Sequence, residues 1–170
     1  MGITAANALG YGAVMFYLFG YLFMNLGAFA VAEFISQKDD RGTEIENLKG
    51  FGYRYPLLGA AMLIFMFCLA GVPPTVGFVG KYYLFSAAVK SHLYWLAVIG
   101  VINSAISAYF YLNIVVTMYM KEEKGQESRV YEVFNSIPVK AVILLTALSV
   151  LYIGIFPSTF LDIALHSISF

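Results

Sequence analysis

Long apolar stretches alternate with two short polar ones along this chain. From about Leu9 to Ile35 no charge occurs before Glu33, and the run is long enough for a helix to cross the roughly 30 Å of a bilayer's hydrocarbon. A polar segment, 36–55, follows with Lys38, Asp39, Asp40, Arg41, Glu44, Glu46, Lys49 and Arg54. Within it Ile45, Leu48 and Phe51 recur at helical spacing, which predicts a short amphipathic surface helix. Residues 56–90 are apolar again, interrupted at 71–80. A third apolar span covers 93–120, a second polar segment 121–140, and a last apolar span 141–165. The pattern predicts an all-α integral membrane protein with a single membrane domain over 1–170 and about four transmembrane spans. No internal repeat is visible.

The stretch 56–90 reads two ways, as two short helices in a hairpin or as one crossing with a break in it. Length favours the second. At 1.5 Å per residue Pro56 to Ala70 covers about 23 Å and Phe78 to Lys90 about 20 Å, so neither half spans the hydrocarbon alone. Charge favours it too. With one crossing, both polar segments share a face that carries Lys38, Arg41, Lys49, Arg54, Lys121, Lys124, Arg129 and Lys140, against Lys90 alone on the other. That asymmetry obeys the positive-inside rule and places both polar segments in the cytoplasm. With two crossings Lys90 joins the first four cations and the asymmetry vanishes. The chain ends are then expected on the opposite face, periplasmic in a bacterium.

Composition agrees with a membrane setting. The chain is 61% hydrophobic and 12% charged, with zero net charge, against roughly 25% charged in soluble domains. The mean hydropathy is +0.78. Nothing points to nucleic acid. Cys68 is the single cysteine; it makes no internal disulfide or metal cluster and reads as a small buried hydrophobe. The start lacks the basic region and small-residue cleavage site of a secretory signal, so the first apolar segment is expected to persist in the mature protein.

The chemistry concentrates at the interruption, LAGVPPTVGFVGKYYLF from Leu69 to Phe85. Pro73 and Pro74 lack backbone N–H groups and clash with the preceding turn. Gly71, Gly77 and Gly80 permit the dihedrals a break requires. Freed backbone polar groups at membrane depth must face protein or a water-filled cavity, and discontinuous helices recur at ion sites in transporters. Lys81 follows the last of these glycines and is the only charge between Pro56 and Val89. An intramembrane ammonium is costly and marks a functional site by default. Burial opposes its charge, so it is suited to gain and lose a proton. A structural lysine would instead snorkel to the interface, but about nine residues of helix, roughly 13 Å, separate Lys81 from the end of its half-helix. Lys90, beside His92 at a helix end, reads as an interfacial anchor.

Other intramembrane polar residues give weaker signals. Asn25, Asn103, Ser104 and Ser107 are candidate water-path residues and serve equally as interhelical hydrogen bonders. Glu33, Asp162 and His166 lie near span ends and read as interface residues. The tyrosines and Trp95 fit aromatic belts and packing. No nucleotide loop, metal cluster or nucleophile triad is present.

At these residues the chain resembles a known family. FMFCLAGVPPTVGFVGKYYLF resembles the S/C-L-A-G-[IV]-P-P-x-x-G-F-x-G-K signature of subunit N of the proton-translocating NADH–quinone oxidoreductase, respiratory complex I. GYLFMNLGAFAV, ENLKGFGYRYPLLGAAM and SAISAYFYLNIVVTMYM resemble its neighbouring segments, so the likeness covers essentially the whole chain. Antiporter-like subunits of Mrp-type cation/proton antiporters and membrane-bound hydrogenases share the broken helix. The resemblance implies that Lys81 belongs to a chain of buried ionisable residues that relay protons, driven by redox chemistry in a separate arm. It implies no cofactor in this chain, with NADH, flavin, iron–sulfur clusters and quinone in other subunits. It also implies other membrane subunits of the complex, neighbouring antiporter-like ones included, and the lipid bilayer as partners. A family member has about fourteen helices in two inverted repeats, and four spans correspond to the C-terminal part. A structural or assembly role without transport, and an Mrp-type antiporter subunit, are the alternative readings.

Overall fold

A computed structural model describes residues 1–38, 45–121 and 137–167. The polar stretches 39–44 and 122–136 lie outside the described residues, and with them Arg41, Lys124 and Arg129 of the positive-inside argument. Seven α-helices are described: α1 (Ala8–Lys38), α2 (Phe51–Arg54), α3 (Pro56–Ala70), α4 (Val76–Lys90), α5 (Tyr94–Met120), α6 (Ile137–Ile155) and α7 (Pro157–His166). The expectation of an all-α membrane protein holds. Three of the described helical stretches are long and apolar enough to cross a membrane: Ala8–Ile35, Tyr94–Met120 and Pro138–Ile155. α3 is apolar and shorter.

The helix α1 is the spine of the molecule. Asn7 starts it, its side-chain oxygen accepting the Gly10 N–H at 2.6 Å as an N-cap does. The Asn7 amide also donates to Ser91 Oγ at 2.8 Å and to the Ala87 carbonyl at 3.2 Å, which ties the beginning of α1 to the end of α4. Moving up α1, Phe16 meets Tyr83 edge-on, Gly20 lies against Val76, and Gly27 lies against Phe65. The partner number falls as the α1 number rises, and the ladder passes from α4 into α3 without turning back. The two half-helices therefore lie end to end, antiparallel to α1. From Asn7 to Gly27 the ladder extends about 30 Å. A second ladder on α5 agrees, with Gly100 beside Phe85 and Tyr119 beside Gly59.

Close approach comes from small residues. A Cβ on Gly27 or Gly20 would strike the Phe65 ring or the Val76 side chain. In lipid, where apolar surface gains nothing by leaving one hydrocarbon for another, such packing is the main source of helix association. The core is a chain of fully buried side chains, Phe16, Met24 and Val31 of α1 against Phe65 and Cys68 of α3 and Val76 of α4, closed by Met118 and Val150.

Two expectations about the elements change. The amphipathic surface helix is two short turns, a 3₁₀ turn at Ile45–Leu48 and then α2, separated at Gly50, whose φ of 69° is left-handed. Leu48 and Phe51 are buried while Ile45 is exposed. The last apolar span is also interrupted. Pro157 cannot donate to the Ile153 carbonyl and takes the first position of α7, leaving Phe156 non-helical at φ −117°, ψ 61°. Tyr152, one turn before this second interruption, holds Phe156 and Phe160 against its ring, with centroids 5.4 and 6.2 Å away.

Candidate functional site: a lysine across a helix break

The first break is shorter than the sequence suggested. α3 stops at Ala70 and α4 begins at Val76, so the non-helical backbone is 71–75. Gly71 takes the left-handed conformation, φ 87°, that ends a helix and that L side chains rarely adopt. Pro73–Pro74 is a cis peptide. Gly77 and Gly80 are not in the break: they lie in the first turns of α4. Their lack of a side chain serves packing instead. A Cβ on Gly77 would collide with the Cys68 carbonyl, and one on Gly80 would press on Tyr17.

A helix end leaves four carbonyls without helical partners. Their fate at the end of α3 can be followed in full. The Gly71 N–H donates to the carbonyls of Phe67 and Cys68 at 3.0 and 3.1 Å, and the Val72 N–H donates to Phe67 at 3.0 Å. This is the Schellman arrangement. The carbonyls of Leu69 and Ala70 remain, and Lys81 Nζ donates to both at 3.0 Å. Lys81 thus reaches back from α4 and caps the negative end of α3. Among the described residues no carboxylate pairs with it. A lysine at mid-membrane costs about 2.5–3.5 kcal/mol on insertion scales. Charge-assisted hydrogen bonds contribute about 1.5–3 kcal/mol each, and the helix dipole adds to them. The two bonds are of the size needed to offset the burial.

Thr75 supports the turn from the other side. Its buried hydroxyl donates to the Val72 carbonyl at 2.7 Å. Gly154 of α6 lies directly on this backbone, where an added Cβ would meet the Pro74 carbonyl oxygen and the atoms joining Thr75 to Val76. The interruption between α6 and α7 therefore sits at the level of the one between α3 and α4.

Half-buried Lys81 faces a cleft of about 380 Å³ between α1, α4 and α5. Asn103, Ser104 and Ser107 of α5 line it, so the fold brings three of the four expected polar residues to the lysine. Asn25 is not among its lining residues; its amide donates to the Tyr21 carbonyl at 2.8 Å, one turn back on α1. Tyr17, Tyr21 and Tyr111 also line the cleft, and the sequence reading missed them. Their spacing held a signal: Tyr17 and Tyr21 are one turn apart, and Tyr111 continues the Asn103–Ser107 stripe at the next turn.

An all-helical bundle with three helices long and apolar enough to cross a membrane is a multi-pass membrane protein, here with an interrupted helix, a cation on its carbonyl end and a polar cleft beside it. Residues 1–107 match the family described as NADH:quinone oxidoreductase/Mrp antiporter, transmembrane, and the chain belongs to that family. It is 43% identical over 169 residues to NADH-quinone oxidoreductase subunit N of Trichlorobacter lovleyi, covering 99% of this chain and 34% of that protein. It is 46% identical over 167 residues to NADH-quinone oxidoreductase subunit N 1 of Solibacter usitatus, covering 98% and 34%. A chain in the structure of respiratory complex I from Thermus thermophilus with bound aureothin superposes with a TM-score of 0.75 at 30% identity, over 95% of this chain and 36% of that one. The chain spans about a third of the length of these relatives.

Proposed function

We propose that this chain is part of a membrane-arm subunit of a proton-translocating NADH–quinone oxidoreductase and that Lys81 is a station of its proton relay. The observation that carries the reading is the lysine's pairing with two backbone carbonyls at a helix break. An ammonium held by dipoles keeps its place without a fixed counter-ion, and its charge is free to respond to charges arriving nearby. The cleft beside it supplies polar groups for water. The protein works in a bacterial cell membrane, crossing it four times, with α3 and α4 forming one crossing and both polar segments in the cytoplasm. Its partners are the other membrane subunits of the complex, neighbouring antiporter-like subunits included. This chain does no redox chemistry; NADH, flavin, iron–sulfur clusters and quinone are handled by other subunits.

The test is coupled proton pumping in native membranes with Lys81→Met. The expected result is loss of pumping with the complex assembled. Wild-type pumping in the assembled variant would leave the chain a structural or assembly piece. The shared family with Mrp antiporters favours one further control: sodium-coupled proton exchange without NADH oxidation would place the chain in an antiporter instead.

A further inference from the structure

Three phenols stand in the cleft beside Lys81, and the aromatic-belt explanation does not fit them. Belt tyrosines sit at the two membrane surfaces, whereas Tyr17 packs against Gly80, the residue before Lys81. Tyr21 follows one turn along α1, its ring stacked on Tyr17 with centroids 5.7 Å apart. Tyr111 approaches from α5. All three line the same cleft as Lys81.

Their placement has a direction. Both α1 and α5 run antiparallel to the α3–α4 line. Higher numbers on either helix therefore lie toward the start of α3, where Tyr119 meets Gly52 and Gly59. That is the end of the bundle at which α1 finishes at Lys38 and α5 at Met120. On the other side of Lys81, the end of α4 is fastened to the beginning of α1 by hydrogen bonds. Asn7 donates to Ser91, and Ser91 Oγ donates to the Ala5 carbonyl at 2.6 Å. Hydroxyl groups thus extend from the lysine toward one face.

We propose that Tyr17, Tyr21 and Tyr111 are proton-carrying residues that connect Lys81 with the face bearing the charged segments. The proposal rests on the relay reading of Lys81. In each transfer a phenol oxygen accepts a proton on a lone pair while its own O–H bond breaks and releases a proton to the next oxygen, so the hydroxyl stays neutral overall. Water in the cleft bridges the gaps, since 380 Å³ has room for several molecules. At Lys81 the proton forms the third N–H bond of the ammonium, and its departure restores the amine.

Tyrosine to phenylalanine removes the hydroxyl and leaves the ring to pack. The experiment measures proton pumping and NADH oxidation in the assembled complex for Tyr17→Phe, Tyr21→Phe and Tyr111→Phe, singly and together, beside Lys81→Met. Tyr109→Phe is the control, on an exposed residue of α5 outside the cleft. A several-fold fall in pumping is expected for the triple variant, with intermediate falls for single ones and none for the control. If the triple variant does not assemble, the single variants decide by the same criterion. Wild-type pumping in the phenylalanine variants beside a silent Lys81→Met overturns the phenol route and leaves the relay standing. Wild-type pumping in Lys81→Met overturns both.

Discussion

Lys81 owes its place to a helix that ends too soon. Two carbonyls at the end of α3 need donors, and the lysine supplies both. The roles of charge and proton can be separated at this residue. Arginine keeps the cation but does not give up its proton in a protein. Lys81→Arg should therefore assemble and melt close to wild type while pumping as poorly as Lys81→Met. Pumping by the arginine variant would show that only the fixed charge matters. The lysine was legible in the sequence because a lone charge in an apolar run has few explanations. The tyrosines left only the weaker signal of their spacing. A phenol on a membrane helix looks the same in sequence whether its ring packs or its hydroxyl lines a cleft, and the cleft between α1, α4 and α5 exists only once three helices meet.

Glycine and proline set the elements, and each misled where it serves two purposes. Pro73 and Pro74 announced the break, but Gly77 and Gly80 lengthened it on paper because glycine signals loose backbone and tight packing alike. In the fold both are helical and crowded. Gly77→Ala places a methyl group on the Cys68 carbonyl. It should cost at least the 1–3 kcal/mol typical of overpacking, read as a lower melting temperature of the purified complex. Wild-type melting would mean that the end of α3 shifts freely. The interruption at Phe156 escaped notice because a single proline inside an apolar run does not shorten it. Its contact with the first break makes Gly154 the sensitive point. Gly154→Ala meets backbone at Pro74 to Val76, whereas Gly100→Ala meets the Met1 and Phe85 side chains, which have more room to turn aside. The first should destabilise more than the second. Equal melting curves would show that the two breaks do not bear on each other.

At the scale of the molecule, the proposed crossing count leans on α1. Its ladder of contacts passes from α4 into α3 without turning back, which supports one broken crossing over a hairpin. Cysteines introduced at Gly50 and Ser91 should then label from opposite sides of the membrane with an impermeant thiol reagent. Native Cys68, fully buried, should stay silent. Labelling from the same side would restore the hairpin. The outward face of α5, with Trp95, Ile99, Ile102, Ile106 and Phe110 exposed, was legible as a membrane span, and its polar stripe as a candidate path.

The capped break has a mechanical side. Two half-helices in line form a strut, the five residues between them form its joint, and Lys81 is a latch across that joint. The latch grips through the attraction of an ammonium for a helix's negative end, so its strength depends on a proton. Faster amide hydrogen exchange at Val72 and Thr75, whose N–H groups bond to the carbonyls of Phe67 and Val72, would register the loosened joint in Lys81→Met, while unchanged exchange would assign its stiffness to α1 and α6. On the relay reading of Lys81, protonation of one side chain would set how rigidly one rod of the bundle transmits a push from end to end.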